Sequence, residues 1–326
     1  MLKKKKSRLL FLLFWMFLSA IQAQDFPFSQ FYANPLYLNP ALAGSEYCIR
    51  AGINYRNQWP SLSGAFLNYS ASVDGFSEFL NGGLGLQVSY DKQGEASITH
   101  FQVSGIYSYR LTLSRDVEAR LALQAGFGQR GLNRNDLMLP SGLSGNPTVM
   151  PEFFNGNVNF PDFAAGFLLG YDNRFFFGSA VHHLTQPEIG FFENQQYKLG
   201  MKLTLHAGAH LGGNDNYHRS YGSNLEISPN ILYQQQDEFR HLNLGSYFTL
   251  SPFVAGLWFR HAFNNSDAII LLIGLDHEQY RFGYSYDYTL SSLTNAAGGA
   301  HEVSFSYVFP CSKKSKRPKA IKCPTF

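Results

Sequence analysis

Large apolar residues and small polar ones take turns along most of this chain, at a period of two. From His301 to Phe309, the residues Val303, Phe305, Tyr307 and Phe309 share one face, while Glu302, Ser304 and Ser306 share the other. Tyr280, Phe282, Tyr284, Tyr286 and Tyr288 alternate in the same way with Arg281, Gly283, Ser285 and Asp287. A soluble sandwich hides its large side chains and shows its charges, so five aromatics opposite Arg, Ser and Asp invert that arrangement. The pattern predicts an all-β fold, a transmembrane outer-membrane barrel with lipid against the aromatic face and water or a plug against the polar one.

Strand-like runs cover residues 48–59, 66–73, 84–90, 99–111, 117–129, 163–171, 175–184, 196–211, 223–233, 239–250, 253–263, 268–275, 280–288 and 301–309. They predict about 14 antiparallel strands, the even number that bacterial barrels use. Placing both chain ends in the periplasm puts the tight joins Ser114-Arg115-Asp116, Asp172-Asn173-Arg174, Ser251-Pro252 and Asp276-His277-Glu278 on that side. The long joins 130–161, 185–194 and 290–300 then face outward, which is the outer-membrane pattern. Residues 212–222, GGNDNYHRSYG, break it: they are long yet fall on the periplasmic side.

The N-terminus adds an address. Lys3 to Lys6 and Arg8 precede a short apolar stretch from Leu9 to Leu18 and the small-residue exit Ser19-Ala20-Ile21-Gln22-Ala23, which predicts a cleaved signal peptide over residues 1–23. The apolar stretch is too short for the roughly 20 residues of a membrane-spanning helix. Residues 24–47 are then an ordered periplasmic or lumenal segment, 48–309 the barrel and 310–326 a basic periplasmic tail. Removing the five leader cations takes the formal net charge from +3 to −2, and removing Lys313, Lys314, Lys316, Arg317, Lys319 and Lys322 takes it to −8. An acidic body with a basic tail does not suit a nucleic-acid partner, which needs a basic face on the folded part. The tail instead reads either as a solvated charge run or as a docking element for an acidic periplasmic partner.

Candidate chemistry is sparse. His206 and His210 are four apart, which on a strand separates them by roughly 13 Å, so they read as lumen-facing or interfacial. His182 and His183 are adjacent and point to opposite strand faces. Gly82-Gly83-Leu84-Gly85 reads as a turn into a strand rather than a phosphate loop. No G-x-S-x-G fixes a nucleophile, and no Cys and His spacing suits zinc. The expectation is a protein that is not an enzyme, with no catalytic, cofactor-binding or metal-binding residues. Of the three Cys, Cys311 and Cys323 are expected to pair across the tail in an oxidising compartment, leaving Cys48 as the odd one, either a lone buried thiol or bonded to a partner in the tail.

The mature N-terminal region carries FSQFYANPLYLNPALAG from Phe28 to Gly44, followed by YRNQWP from Tyr55 to Pro60 and HLTQPE from His183 to Glu188. GYSYDYTLSSL from Gly283, GGAHEVSFSY from Gly298 and KCPTF from Lys322 complete the series. In this order the strings resemble the PorP/SprF family of outer-membrane proteins of the type IX secretion system of Bacteroidota. That resemblance implies a non-enzymatic component that assists secretion or surface attachment of large adhesins, including those of gliding motility, or links the outer membrane to the periplasmic secretion ring. Its partners would be outer-membrane lipid, type IX subunits in the periplasm and a secreted adhesin. The alternative is a solute channel or fatty-acid-type transporter, because about fourteen strands can enclose a lumen. Independently of the resemblance, Asn34-Pro35 and Asn39-Pro40 push the residue before each proline out of helical space and predict a fixed, turned segment docked at the periplasmic mouth or partly inside the lumen.

Overall fold

In a computed structural model of the protein the alternation becomes a closed antiparallel barrel. The structure describes residues 25, 27–62, 64–94, 98–132, 156–192, 197–212, 225–263, 268–290 and 298–311. The expected signal peptide, most of the 130–161 join, residues 213–222 of the Gly-rich join and the tail beyond Cys311 lie outside them.

Among the described residues the strands are β1 (Arg50–Gln58), β2 (Phe66–Ser77), β3 (Gly82–Gln93), β4 (Ile98–Thr112), β5 (Val117–Leu132), β6 (Asn157–Tyr171) and β7 (Phe175–His182). They continue as β8 (Lys202–Ala209), β9 (Glu226–Gln236), β10 (Phe239–Leu250), β11 (Phe253–Ala262), β12 (Ala268–His277), β13 (Tyr280–Thr289) and β14 (Ala300–Val308). Each strand pairs with its sequence neighbours, and β1 meets β14 from Arg50↔Val308 to Gln58↔Ala300, so the ring has no open edge. Closure is what lipid demands, since an unpaired backbone amide in hydrocarbon costs several kcal/mol.

The end where β1 starts is the lower end. Its joins are short (78–81, 113–116, 172–174, 251–252 and 278–279) except for 210–225. The upper end carries the long joins 133–156, 183–201 and 290–299, together with one two-residue turn, 237–238, that the alternation did not single out. Strand β6 starts six residues earlier than expected, and Pro161 within that extension pairs with Phe127 and points outward. Pro229 does interrupt a ladder. β8 and β9 pair as far as Gly208↔Asn230 and resume at Leu211↔Ile227 in the same register, because proline offers no N–H between them.

The outward face is apolar and exposed, as β11 shows with Phe253, Leu257 and Phe259 outside and Val254, Trp258 and Arg260 buried. The inner wall has two halves. On β13, β14, β1, β2 and β3 it presents Ser285, Asp287, Glu302, Ser304, Asn54, Arg56, Asn68, Asp74 and Asp91. On β6 to β12 it presents Leu168, Phe176, Leu232, Tyr247, Trp258, Ile270 and Leu272.

Residues 27–44 fill the space between those halves. Pro35 opens a four-residue helix, α1 (Pro35–Leu38), between 3-10 turns at Phe31–Ala33 and Pro40–Leu42. Asn34 and Asn39, the residues before proline, are held at φ −121° and −157°, outside helical space. The Asn39 side chain accepts from Ala41 N at 2.9 Å and caps the second turn. Phe31, Tyr32, Leu38 and Leu42 form one apolar cluster with Phe176, Leu232, Trp258 and Ile270 of the wall, so the core of this molecule lies inside the barrel.

Candidate functional site

The segment from Phe28 to Gly44 contains no charged residue, whereas the wall around it does. It can meet that wall only through neutral donors and acceptors, and Ser29 and Gln30 supply them. Arg56 of β1, Arg260 of β11, Asp287 of β13 and Glu302 of β14 converge on this pair and balance two positive charges with two negative ones. Arg56 Nη2 donates to Asp287 Oδ2 at 2.9 Å and Nη1 to Glu302 Oε2 at 3.2 Å, while Arg260 Nη1 donates to Asp287 Oδ2 at 3.0 Å. The Ser29 hydroxyl donates to Asp287 at 2.6 Å and accepts from both guanidiniums. Ser29 N and Gln30 N donate to the two Glu302 oxygens at 2.7 and 3.1 Å. Ser304 Oγ donates to Gln30 Oε1, and Gln30 Nε2 donates to the Glu302 carbonyl at 2.9 Å. A buried ion cluster is tolerable only when its remaining hydrogen-bonding sites are filled, and the plug fills several of them.

At the upper end Asp25 forms a second attachment. Its carboxylate lies 3.0 Å from His183 Nε2 and 3.3 Å from Lys202 Nζ, its N–H donates to Gln236 Oε1 at 2.8 Å, and His183 Nδ1 lies 3.0 Å from Asp162. Burial alone would depress His183, but the Asp25 and Asp162 carboxylates outweigh it and raise its pKa to about 9. Burial likewise opposes charge on Asp25, and His183 and Lys202 overcome it, holding the carboxyl well below the usual range.

At the lower end Gly44 N donates to Asp74 Oδ2 at 2.8 Å, and Arg50 grips the same carboxylate at 2.9 and 3.0 Å. Gly44 has φ +64°, and any Cβ on Gly83 of β3 would overlap the Ala43 carbonyl, so backbone meets backbone where the segment leaves the bore. In between, Ser108 donates to Ala41 O at 3.1 Å, and Asn39 Nδ2 lies 3.1 Å from His206 Nε2. Asp25 and Gly44 thus sit at opposite mouths, and the segment runs the length of the bore.

The residues singled out in the sequence fall as follows. His206 and His210 both face the interior, at separate places: His206 beside Asn39, and His210 against Glu226 and Ser228. The expectation that His182 and His183 diverge is corrected. β7 ends at His182, His183 takes φ +57°, and the turned backbone brings both rings inside with centroids 6.4 Å apart. Gly82 to Gly85 opens β3 and seats the end of the plug. The pairing of Cys311 with Cys323 is also corrected: Cys311 is bonded to Cys48, with Cα atoms 5.6 Å apart, because closure of β1 on β14 brings both to the lower end of one seam. Among the described residues no group of three metal-ligating side chains converges. Asp25, Ser29 and Gln30 were not singled out; their signal was the uncharged stretch with two Asn-Pro pairs standing before a wall with inward charges.

The sequence matches the family described as type IX secretion system membrane protein PorP/SprF over residues 20–307. No curated protein matches it. Among solved structures, the CymD monoaromatic hydrocarbon channel is similar with 11% identity and a TM-score of 0.48, over 86% of this chain and 93% of that one. The Acinetobacter baumannii outer membrane protein Omp33 is similar with 11% identity and a TM-score of 0.43, over 82% of this chain and 100% of that one.

Proposed function

The chain belongs to the PorP/SprF family of type IX secretion system membrane proteins, and from that premise we propose that it is a plugged platform rather than a conduit. As an outer-membrane component of that system it works without catalysis. It assists secretion or surface attachment of particular large adhesins, or links the outer membrane to the periplasmic secretion ring. The observation that carries this reading is the plug: residues 27–44 run from one mouth of the bore to the other and bind both halves of the wall. A solute channel needs a free path, and the path here is filled by Phe31, Tyr32, Leu36 and Leu42, each at most 3% exposed.

Work therefore falls to the mouths. The lower one faces the periplasm in this reading, and the chain passes Cys311 there toward its basic tail, suited to an acidic periplasmic partner. The test is twofold. Purified protein in a planar bilayer is expected to give no stable conductance, and affinity purification from the native membrane is expected to recover type IX subunits or one surface adhesin. Porin-like conductance together with an empty pull-down would overturn the platform and promote the channel.

A further inference from the structure

We propose that the lipid-facing surface of β14, β1, β2 and β3 holds a site for one phosphate-bearing, acylated membrane lipid. The wall there has a groove of about 380 Å³ lined by Ile53, Ala71, Val88, Val303 and Phe305 and rimmed by Tyr55, Tyr69 and Tyr90. The lining follows from register. Phe305↔Ile53, Ile53↔Ala71 and Ala71↔Val88 are paired, so one row of apolar side chains crosses four strands, with the small Ala71 making the depression.

Two residues nearer the upper end lies a second row on the same face: Tyr55↔Tyr69 and Tyr69↔Tyr90, with ring centroids 5.1 and 6.2 Å apart. Among the described residues none of the three hydroxyls has a hydrogen-bond partner, although a hydroxyl facing hydrocarbon needs one. Two residues further, Asn57↔Leu67 and Leu67↔Lys92 make a third row. Among the described residues no carboxylate lies within ion-pair distance of Lys92, so its ammonium is the cation this row offers.

Successive rows on one face are about 6.7 Å apart along the strands. From the groove toward the upper end the surface therefore reads hydrocarbon, then hydroxyl, then cation. An acylated lipid phosphate reads in the same order: chain, ester, phosphate. The groove opens onto the apolar band that already contacts the bilayer, so a lipid reaches it without displacing protein.

The test uses the purified full-length barrel in detergent, followed by native mass spectrometry with dipalmitoyl phosphatidic acid or dipalmitoylglycerol, which share their chains and differ in the phosphate. A single basic side chain at the interface favours an anionic lipid by about fivefold, so the wild type is expected to retain one phosphatidic acid with about that preference. Lys92→Gln should erase the preference and keep the binding of both lipids. Ala71→Phe, which fills the groove, should lose both while keeping heat-modifiable gel mobility; Val88→Phe replaces it if the first variant does not fold. Retention of neither lipid by the wild type, an undiminished preference in Lys92→Gln, or undiminished retention in the filled variant would each overturn the site.

Discussion

The two halves of the inner wall hold the same plug by different physics. On β6 to β12 the wall offers Leu168, Phe176, Leu232, Trp258 and Ile270 to Phe31, Tyr32, Leu38 and Leu42, a non-directional contact whose strength grows with apolar area. On β13, β14 and β1, with Arg260 reaching across from β11, it offers Asp287, Glu302 and Arg56 to Ser29 and Gln30, a directional contact that is satisfied in one register. The apolar half supplies affinity and the polar half supplies position. A plug with the first alone could slide along the bore; one with the second alone would gain little from leaving water.

The largest break in this comparison is removal of both contacts. Deleting residues 27–44 should leave the fourteen strand pairings able to form and convert a silent barrel into a conducting one in a planar bilayer; silence from a folded deletion variant would mean that the plug does not close the path. Next comes the apolar half. Trp258→Ala removes a side chain that is 1% exposed and packs on Phe31 with ring centroids 5.0 Å apart. It should cost about 3–5 kcal/mol, read as a lower urea midpoint for loss of the folded gel band.

Glu302→Gln probes the polar half more gently, since the amide keeps the shape and loses the charge that Arg56 and two backbone N–H groups share. It should cost about 1–3 kcal/mol and speed proteolysis near Ser29, whereas Trp258→Ala should lower stability without shifting the cleavage pattern. If both variants exposed the same sites, the division of labour would fail.

The smallest effect lies at the upper attachment. His183 has a raised pKa, so its contribution is complete below its unfolded value of about 6.5 and is lost as pH rises through about 9. Asp25 has a depressed one, so its contribution is present above about 4 and lost on acidification. Between those limits the Asp25 contact is closed, and the protection of amides around residues 25–28 relative to their intrinsic, base-catalysed exchange rate should fall between pH 8 and 10. His183→Gln should abolish that fall in protection and leave protection at Ser29 and Gln30 unchanged.

Much of the barrel was legible in the sequence because a lipid-facing wall must alternate. β13 and β14 carry the pattern openly, with Tyr284 outward and Ser285 inward, and fourteen runs became fourteen strands. Period two loses its power where both faces are apolar. In β12, AIILLIGLDH does not say that Ile270 and Leu272 turn in while Leu271 and Ile273 turn out. The plug was harder to see, because an uncharged segment leaves no complementary mark for Arg56 or Glu302. Cys48 and Cys311 are 263 residues apart and meet only once the ring closes, so local spacing pointed to the nearer Cys323. His183 escaped because strand parity stops applying where the strand stops.

Chain continuity with β1, shortened by the bond between Cys48 and Cys311, also puts the plug on a leash. Gly44 is the last plug residue in the bore, and only residues 45–47 separate it from a cysteine fastened to the far end of the chain. Fully extended, the stretch from Gly44 to Cys48 reaches about 14 Å, less than the height of the wall that the plug occupies. A displaced plug therefore stays near the lower mouth and faces its own site at an effective concentration on the order of millimolar. A rival segment arriving from solution competes against that figure, whereas one delivered already tethered at the same mouth meets the plug on equal terms.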